Sequence, residues 1–346
     1  MNAYPTIDPT LRWLFCVSRA ATLIRMIIRN GFWPVKMKRS KQLFRNTAGN
    51  TRWYNGMRRE EGKYTGPLMM LLASICFSMG GLLCKMIPWS ALAINGVRNL
   101  IGSAVIGIYL LMTHHRVKMN GTVVFGAVCM CGATTLFAFA NKMTTAGNAI
   151  VLEYTAPVWI ILMMLLFFGQ KPRRADLIAM AAVMLGVLCF FIDSLSVGDL
   201  AGNVVALLSG IFFAGLFVLN SFKNGDAISS LFFGQLITGI VMTPFAFRET
   251  DFSPKTLLAI FVLGAVQVGL AYVFFYQGTK RTNPLTASLI SGLEPVLNPI
   301  LVAVFWGELL TPLSVFGAVV VIVSIFIYNI WLGRKNPADQ RTEKAC

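Results

Sequence analysis

Residues 149–170 read AIVLEYTAPVWIILMMLLFFGQ, and a shift of 138 positions, without a gap, places them on residues 287–308, ASLISGLEPVLNPILVAVFWGE. Each copy is a long apolar run that holds one glutamate close to a proline. The shift superimposes Pro157 on Pro295 and Gly169 on Gly307. Apolar segments resemble one another by chance, but a proline and a glycine in phase at one offset indicate an internal duplication.

Composition indicates a membrane protein. Of 346 residues, 56% are hydrophobic and 13% are charged, and the mean hydropathy is +0.68. Apolar runs of about 18 or more residues, the length typical of a membrane-spanning helix, recur with short polar gaps as far as the C-terminus. We therefore predict one polytopic, all-α integral membrane protein in contact with the lipid bilayer, with no separate soluble domain.

Charge and cysteine usage exclude several classes of function. The net charge is +16, but residues 1–59 alone contribute +11, so most of the excess belongs to a tail and does not indicate nucleic acid binding. Most of the seven cysteines lie inside apolar runs, without histidines at metal-ligand spacing. The sequence also lacks a glycine-rich nucleotide-binding loop. We predict no metal, no cofactor and no nucleic acid partner.

The basic segment 1–63 has three interpretations. It is a surface helix attracted to anionic lipid, an Arg-rich targeting segment, or, for residues 1–56, translated sequence upstream of a native start at Met57. The third is favoured, because Met57-Arg-Arg-Glu-Glu leads into the first apolar run as a short polar tail does. All three place the function elsewhere in the chain.

Hydropathy divides the rest of the chain into ten predicted spans, each long enough to cross a hydrocarbon core of ~30 Å. Their approximate bounds are 66–86, 90–112, 121–140, 146–168, 176–193, 200–220, 227–247, 256–277, 284–306 and 312–332. Basic residues concentrate in alternate loops, where one set holds Arg116, Lys118, Lys171, Arg173, Arg174, Lys223, Lys280 and Arg281. The positive-inside rule therefore predicts a multi-pass protein of the cytoplasmic (inner) membrane with both termini cytoplasmic.

The duplication sets the predicted topology. It pairs the fourth span with the ninth, so each repeat contains five helices: residues 64–194 form the first repeat, 195–332 the second, and 333–346 a cytoplasmic C-terminal tail. Because five is odd, the second repeat must enter the membrane from the opposite side. Inverted repeats of this kind are typical of secondary transporters with a site near the midplane.

The fourth span of each repeat also resembles a known family. Tyr154-Thr-Ala-Pro157-Val158 in the first copy, and Leu293-Glu-Pro-Val296 running to Gly307-Glu308 in the second, are similar to the EamA-type family of the drug/metabolite transporter superfamily. The resemblance covers residues 66–332 and implies a ten-helix, inverted-repeat exporter of small metabolites. The first copy departs from the pattern, since it ends in Gly169-Gln170 where Gly-Glu is common.

Three ionisable side chains lie well inside predicted spans: Arg98, Glu153 and Glu294. A charge at the centre of a bilayer costs ~3 kcal/mol or more and must face protein or water. The two glutamates are candidates for binding a cation or an ammonium group, or for accepting a proton. Arg98 has two interpretations: it binds a carboxylate or phosphate of the substrate, or it neutralises Glu153 or Glu294 as a structural partner.

Three prolines are predicted to break the helices beside these carboxylates. Pro157 supplies no N–H and so frees the carbonyl of Glu153, Pro295 frees that of Ser291, and Pro299 adds a second break one turn later. Within a membrane, freed carbonyls are tolerated where other helices or a wet cavity satisfy them. The prolines therefore place the predicted site at the broken helices.

Polar and aromatic residues in other spans complete the predicted site. Trp159, Gln235 and Tyr272 are expected to line an amphipathic pocket, together with Asn99, which follows Arg98, and Asn298, one turn beyond Glu294.

The sequence thus predicts a secondary transporter, a monomer or homodimer, and not an enzyme. It exports a small polar or amphipathic metabolite by alternating access, driven by proton exchange at Glu294 or by the metabolite gradient. The alternatives are a membrane-embedded enzyme, which needs a nucleophile–base pair or metal ligands at depth, and a nontransporting receptor, which does not need inverted repeats.

Overall fold

The chain is helical throughout the regions described by a computed structural model, which are residues 50–117, 119–144, 146–192, 200–306 and 311–334. The helices of the first repeat are α1 (Asn50–Cys84), α2 (Ala91–Met112), α3 (Gly121–Met143), α4 (Ala146–Glu153), α5 (Ala156–Phe168) and α6 (Arg174–Phe191). Those of the second are α7 (Leu200–Val218), α8 (Ala227–Met242), α9 (Pro254–Val262), α10 (Ala271–Thr279), α11 (Pro284–Ser291), α12 (Glu294–Trp306) and α13 (Pro312–Arg334). A π-helical segment, Leu263–Leu270, joins α9 to α10, and a 3₁₀ segment, Thr243–Arg248, extends α8.

Several predicted features lie outside the described residues. They are residues 1–49 of the basic tail, the predicted boundary between the repeats at 194–195, the Gly307-Glu308 end of the second motif, and the C-terminal tail from residue 335. The last part of the predicted tail is helical, because α1 begins at Asn50 and runs without interruption into the first apolar run.

Eight helical segments of the described chain are long and apolar enough to cross a membrane. They are Thr65–Cys84, Ala91–Met112, Gly121–Asn141, Asn148–Phe168, Leu200–Ser221, Ala227–Arg248, Pro254–Thr279 and Pro312–Leu332. The fifth and ninth predicted spans are helical too, but α6 carries Arg174 and Asp176 in its first turn, and the apolar run of the ninth is interrupted between α11 and α12. The count of ten spans therefore stays a prediction.

The helix ends follow from local sequence. Ser90, Asn120, Asp226 and Ser253 each accept a hydrogen bond from a backbone N–H in the first turn of the helix that follows, as N-cap residues do. Helix α5 ends at Gly169, which adopts a left-handed conformation with φ 64° that glycine takes without a steric cost. These caps fix the residues at which the helices begin and end.

The fourth predicted span of each repeat is broken at the equivalent place. Helix α4 ends at Glu153 and α11 ends at Ser291, 138 positions later; α5 starts at Ala156 and α12 starts at Glu294, again 138 positions later. Pro157 and Pro295 occupy the second position of α5 and α12, where a missing N–H costs little. The offset found in the sequence is thus also the offset of the helix breaks.

A third break, predicted at Pro299, is absent. Helix α12 runs from Glu294 to Trp306 through Pro299. One proline removes a single hydrogen bond from the helix, and an apolar helix continues past it in a membrane because neighbouring helices satisfy the freed carbonyl.

The two repeats pack on each other more than on themselves. The most extensive contacts between helices pair α3 with α7 and α8, α6 with α13, α2 with α8, and α1 with α10 and α12, and each pair takes one helix from each repeat. Glycines permit the closest approaches: a Cβ on Gly210 of α7 would lie 2.8 Å from the carbonyl oxygen of Glu153 at the end of α4. Small residues at helix crossings are the usual basis of tight packing in membranes.

Hydrogen bonds between the repeats define the two ends of the bundle. At one end His115 Nε2 lies 2.8 Å from Asp226 Oδ2, and Asn120 donates to the backbone oxygen of Asn224 at 2.9 Å. At the other end the indole N–H of Trp89 donates to the backbone oxygen of Asp251 at 2.7 Å. The charge bias predicts that the first end is cytoplasmic and the second external.

Packing at Gly210 gives a first prediction. Gly210→Ala should lower the stability of the folded protein by about 1–3 kcal/mol, since the added methyl meets backbone atoms that cannot rotate away. The measurement is the midpoint of thermal unfolding in detergent, with Gly121→Ala as the matched control, because a Cβ on Gly121 meets nothing within 4 Å. Equal midpoints for the two variants would contradict the close approach of α7 to α4.

Candidate functional site

A polar cavity of about 100 Å³ lies where the two broken spans meet. It takes residues from α1, α2, α3 and α7, from the π-helical segment and α10, and from both breaks. The lining residues are Phe77, Arg98, Asn99, Ala133, Thr134, Phe137, Glu153, Tyr154, Phe213, Gln267, Val268, Tyr272 and Glu294. The cavity thus brings together Arg98, Glu153 and Glu294, the three ionisable side chains well inside the predicted spans.

A direct hydrogen bond connects the two breaks. The hydroxyl of Tyr154, which follows α4, donates to Glu294 Oε2, in the first residue of α12, at 2.7 Å. The same hydroxyl is 3.4 Å from the carbonyl oxygen of Ser291, one of the two carbonyls that the prolines were predicted to free. The other freed carbonyl, that of Glu153, faces the backbone of α7 at Gly210. One freed carbonyl therefore lies at the limit of hydrogen-bond distance from a hydroxyl whose shorter bond goes to Glu294, and the other packs against a glycine.

Arg98 lines the cavity without an ion pair to either glutamate among the described residues. Its Nε and Nη2 donate instead to Oδ1 of Asn95, at 3.2 and 2.9 Å. The amide nitrogen of Asn99 also donates to Asn95, to its backbone oxygen at 2.7 Å. Asn95 thus orients the guanidinium group, and the role of Arg98 as a structural partner that neutralises Glu153 or Glu294 stays a prediction.

Two buried amide oxygens of the cavity lack a hydrogen-bond donor among the described residues. These are Asn99 Oδ1 and Gln267 Oε1, while Nε2 of Gln267 donates to the backbone oxygen of Phe77 at 3.4 Å. A buried acceptor without a donor costs about 1–3 kcal/mol. With two carboxylates and one guanidinium nearby, these oxygens make the cavity suitable for a ligand that carries N–H or O–H donors.

Packed aromatic rings form one wall of the cavity. Neighbouring ring centroids are 4.9 to 6.2 Å apart in a chain that crosses both repeats: Phe77, Tyr272, Phe275, Phe217, Phe213 and Tyr154. Phe217 and Phe275 are fully buried and lie one turn closer to the predicted cytoplasmic end than Phe213 and Tyr272. On that side the cavity therefore ends against close-packed, edge-to-face rings.

The structure brings together five of the predicted site residues: Arg98, Asn99, Glu153, Tyr272 and Glu294. The other three do not line the cavity. Trp159 lies in the first turn of α5, after the break, and its indole N–H donates to Thr155 Oγ1 at 3.1 Å. Asn298 packs against Gly81 of α1, and Gln235 is fully buried on α8 beside Gly102.

Sequence reasoning missed Tyr154 and most of the aromatic wall. Tyr154 belongs to the motif at the break, and its place next to Glu153 was a usable signal. The phenylalanines gave none, because a phenylalanine that lines a cavity has the same sequence context as one that faces lipid.

Comparison with known proteins identifies the family to which this architecture belongs. The family model described as the EamA-like transporter family matches residues 64–192 and again residues 200–330. The chain belongs to the EamA-like transporter family. The two matches correspond to the two repeats, and the helices assigned to each repeat fall within or close to them, apart from the N-terminal part of α1.

Individual relatives of this EamA protein are transporters by name. An uncharacterized transporter of Bacillus subtilis, YwfM, is 27% identical over 81% of this chain and 97% of its own length. The pseudopaline exporter CntI of Pseudomonas aeruginosa is 27% identical over 75% and 94%, and the threonine/homoserine exporter RhtA of Escherichia coli is 23% identical over 73% and 88%. A solved crystal structure with 16% identity superposes at a TM-score of 0.68 over 79% of this chain and 100% of its own, which shows the shared fold.

The buried amides give a second prediction. Neither polar atom of the Gln235 side chain has a partner among the described residues, whereas Asn99 donates to Asn95. Gln235→Leu should leave the midpoint of thermal unfolding in detergent unchanged or raise it, and Asn99→Leu should lower stability by about 1–3 kcal/mol. A larger loss in Gln235→Leu than in Asn99→Leu would contradict the placement of these two amides.

Proposed function

We propose that this EamA protein is a secondary transporter that exports a small polar or amphipathic metabolite across the cytoplasmic membrane. The observation that carries the proposal is the position of the cavity: both helix breaks, one from each repeat, contribute a glutamate to it. A binding site formed by broken helices at the interface of two repeats is the usual arrangement of secondary transporters.

The chemistry of the cavity supports a cargo with both polar and apolar parts. Glu153, Glu294 and the free oxygens of Asn99 and Gln267 accept hydrogen bonds, Arg98 offers a positive charge, and the aromatic wall packs against apolar groups. Two relatives bear the names of exporters of pseudopaline and of threonine or homoserine. Their names support export as the direction of transport.

Alternating access is the proposed mechanism. Because the main helix contacts cross between repeats, rocking one group of helices on the other changes which end of the cavity is open without exposing backbone groups to lipid. The packed rings at Phe217 and Phe275 close one end, and the opposite conformation must separate them. Proton exchange at Glu294 drives the cycle, or the cargo moves down its own gradient.

The function itself is tested by metabolite profiles of the medium from cells that overproduce or lack the protein. At least one compound should accumulate outside overproducing cells and fall in cells without the protein. The same compound should exchange across proteoliposomes that contain the purified chain. No change in the medium, and no movement in a broad uptake panel, would overturn the proposal.

Proton coupling is tested by Glu294→Gln in proteoliposomes loaded with the exported compound. The variant keeps the shape of the side chain and loses its titratable proton, so an imposed pH gradient should no longer change the transport rate. Binding and membrane insertion should persist.

Asp251→Asn is the matched control, because this carboxylate lies in the loop before α9, outside the spans. Hydrogen bonds from the hydroxyl of Thr256 and the backbone N–H of Ser253 hold the pKa of Asp251 below its ordinary value. It therefore stays ionised over the pH range of the assay, and its variant should retain the response to the gradient. An unchanged response in Glu294→Gln would exclude Glu294 as the coupling group.

A further inference from the structure

A second cavity, separate from the polar one, opens on the side of the bundle at the predicted cytoplasmic end. It has a volume of about 300 Å³ and is lined by Gly121, Thr122, Phe125, Phe167 and Phe222, which we call the phenylalanine groove. Its walls are the first turns of α3, the last turn of α5 and the segment that follows α7. The groove therefore lies between the first repeat and the second.

The groove is open, and its walls include three phenylalanine rings. The ring of Phe222 is 6.0 Å from that of Phe125 and 6.2 Å from that of Phe167, centroid to centroid. Phe167 is 58% exposed, and a Cβ placed on Gly121 would meet nothing within 4 Å. An open apolar slot of this size, at the end of helices long and apolar enough to cross a membrane, is suited to an acyl chain.

Two exposed lysines lie close in sequence to residues that line the groove. Lys171 follows Phe167 by four residues, Lys223 follows Phe222 directly, and both are exposed. Neither has an acidic partner in the part of the chain that the structure describes. The acids closest in sequence are engaged elsewhere: Asp176 accepts from Tyr328 at 2.8 Å, and Asp226 lies 2.8 Å from His115. The lysines are therefore available to an anion outside the protein.

We propose that the phenylalanine groove is a binding site for an anionic phospholipid. One acyl chain packs along Phe125, Phe167 and Phe222, and the headgroup phosphate lies between Lys171 and Lys223. Charge complementarity selects this occupant: a neutral lipid fills the apolar slot but leaves both ammonium groups without a partner, and a soluble anion pairs with them but leaves the slot empty. The site lies outside the polar cavity and requires no transport to be detected.

The experiment is native mass spectrometry of the full chain. The protein is mixed in detergent with phosphatidylglycerol or with phosphatidylcholine of identical acyl chains, and the lipid that stays bound after release from the detergent is measured. The wild type should retain phosphatidylglycerol at least tenfold more than phosphatidylcholine. Lys171→Gln and Lys223→Gln should each lower that preference by about fivefold, since a basic residue near an anionic membrane surface contributes on that scale. Gly121→Phe adds a ring at a position where a Cβ meets nothing within 4 Å, and it should reduce retention of both lipids.

Lys255→Gln is the matched control, because Lys255 is exposed in the first turn of α9 at the opposite end of the bundle. It should leave the preference unchanged. Equal retention of the two lipids by the wild type would overturn the proposal. So would an equal loss in Lys255→Gln and Lys223→Gln, because the charge effect would then be spread over the surface, and so would unaltered retention in Gly121→Phe.

Discussion

The hydrogen bond from Tyr154 to Glu294 holds together the part of the bundle on which the candidate site depends. A helix that breaks inside a membrane leaves carbonyls without donors, and a carboxylate there adds a charge that lipid cannot solvate. In this chain the break of one repeat supplies a donor to the carboxylate at the break of the other. The carboxylate of Glu294 therefore depends on the first repeat for a hydrogen-bond donor, and the two repeats must associate before that carboxylate is stabilised in hydrocarbon.

The rest of the structure follows from that association. Helices α3 and α7, α2 and α8, and α1 and α10 pair across the repeats, and glycines at their crossings let backbones approach. This leaves a small polar volume around Arg98, Glu153 and Glu294, bounded by aromatic rings on one side. The same interface that stabilises the fold is therefore the one that must loosen if the cavity is to open toward each side of the membrane in turn.

Much of this arrangement could be predicted from the sequence, because one fixed offset relates the equivalent positions of the two copies of a duplication. The offset of 138 positions, taken from prolines and glycines, is also the spacing of the helix limits at Glu153 and Ser291. The cost of charge in lipid identified Glu153, Glu294 and Arg98 as residues that must face protein. Partners could not be predicted in the same way: Arg98 bonds to Asn95, three residues away, and not to a glutamate. Periodicity indicates which face of a helix is polar. It does not indicate which polar group of a neighbouring helix lies opposite that face, and for this reason the predicted cavity included Trp159, Gln235 and Asn298, which do not line it.

The central claim is that one polar cavity between the two breaks is reached from both sides of the membrane. The most direct measurement uses a chain without its native cysteines and with Thr134→Cys, which places a thiol in the cavity wall. Oriented membrane vesicles are treated with a membrane-impermeant thiol reagent from either side, before and after addition of the exported metabolite. This claim predicts that the thiol reacts from both sides and that the cargo changes the ratio of the two reaction rates. The control is a thiol at Ile108, which faces the outside of the bundle with 57% exposure and should not respond to cargo. Reaction from one side under every condition would contradict it.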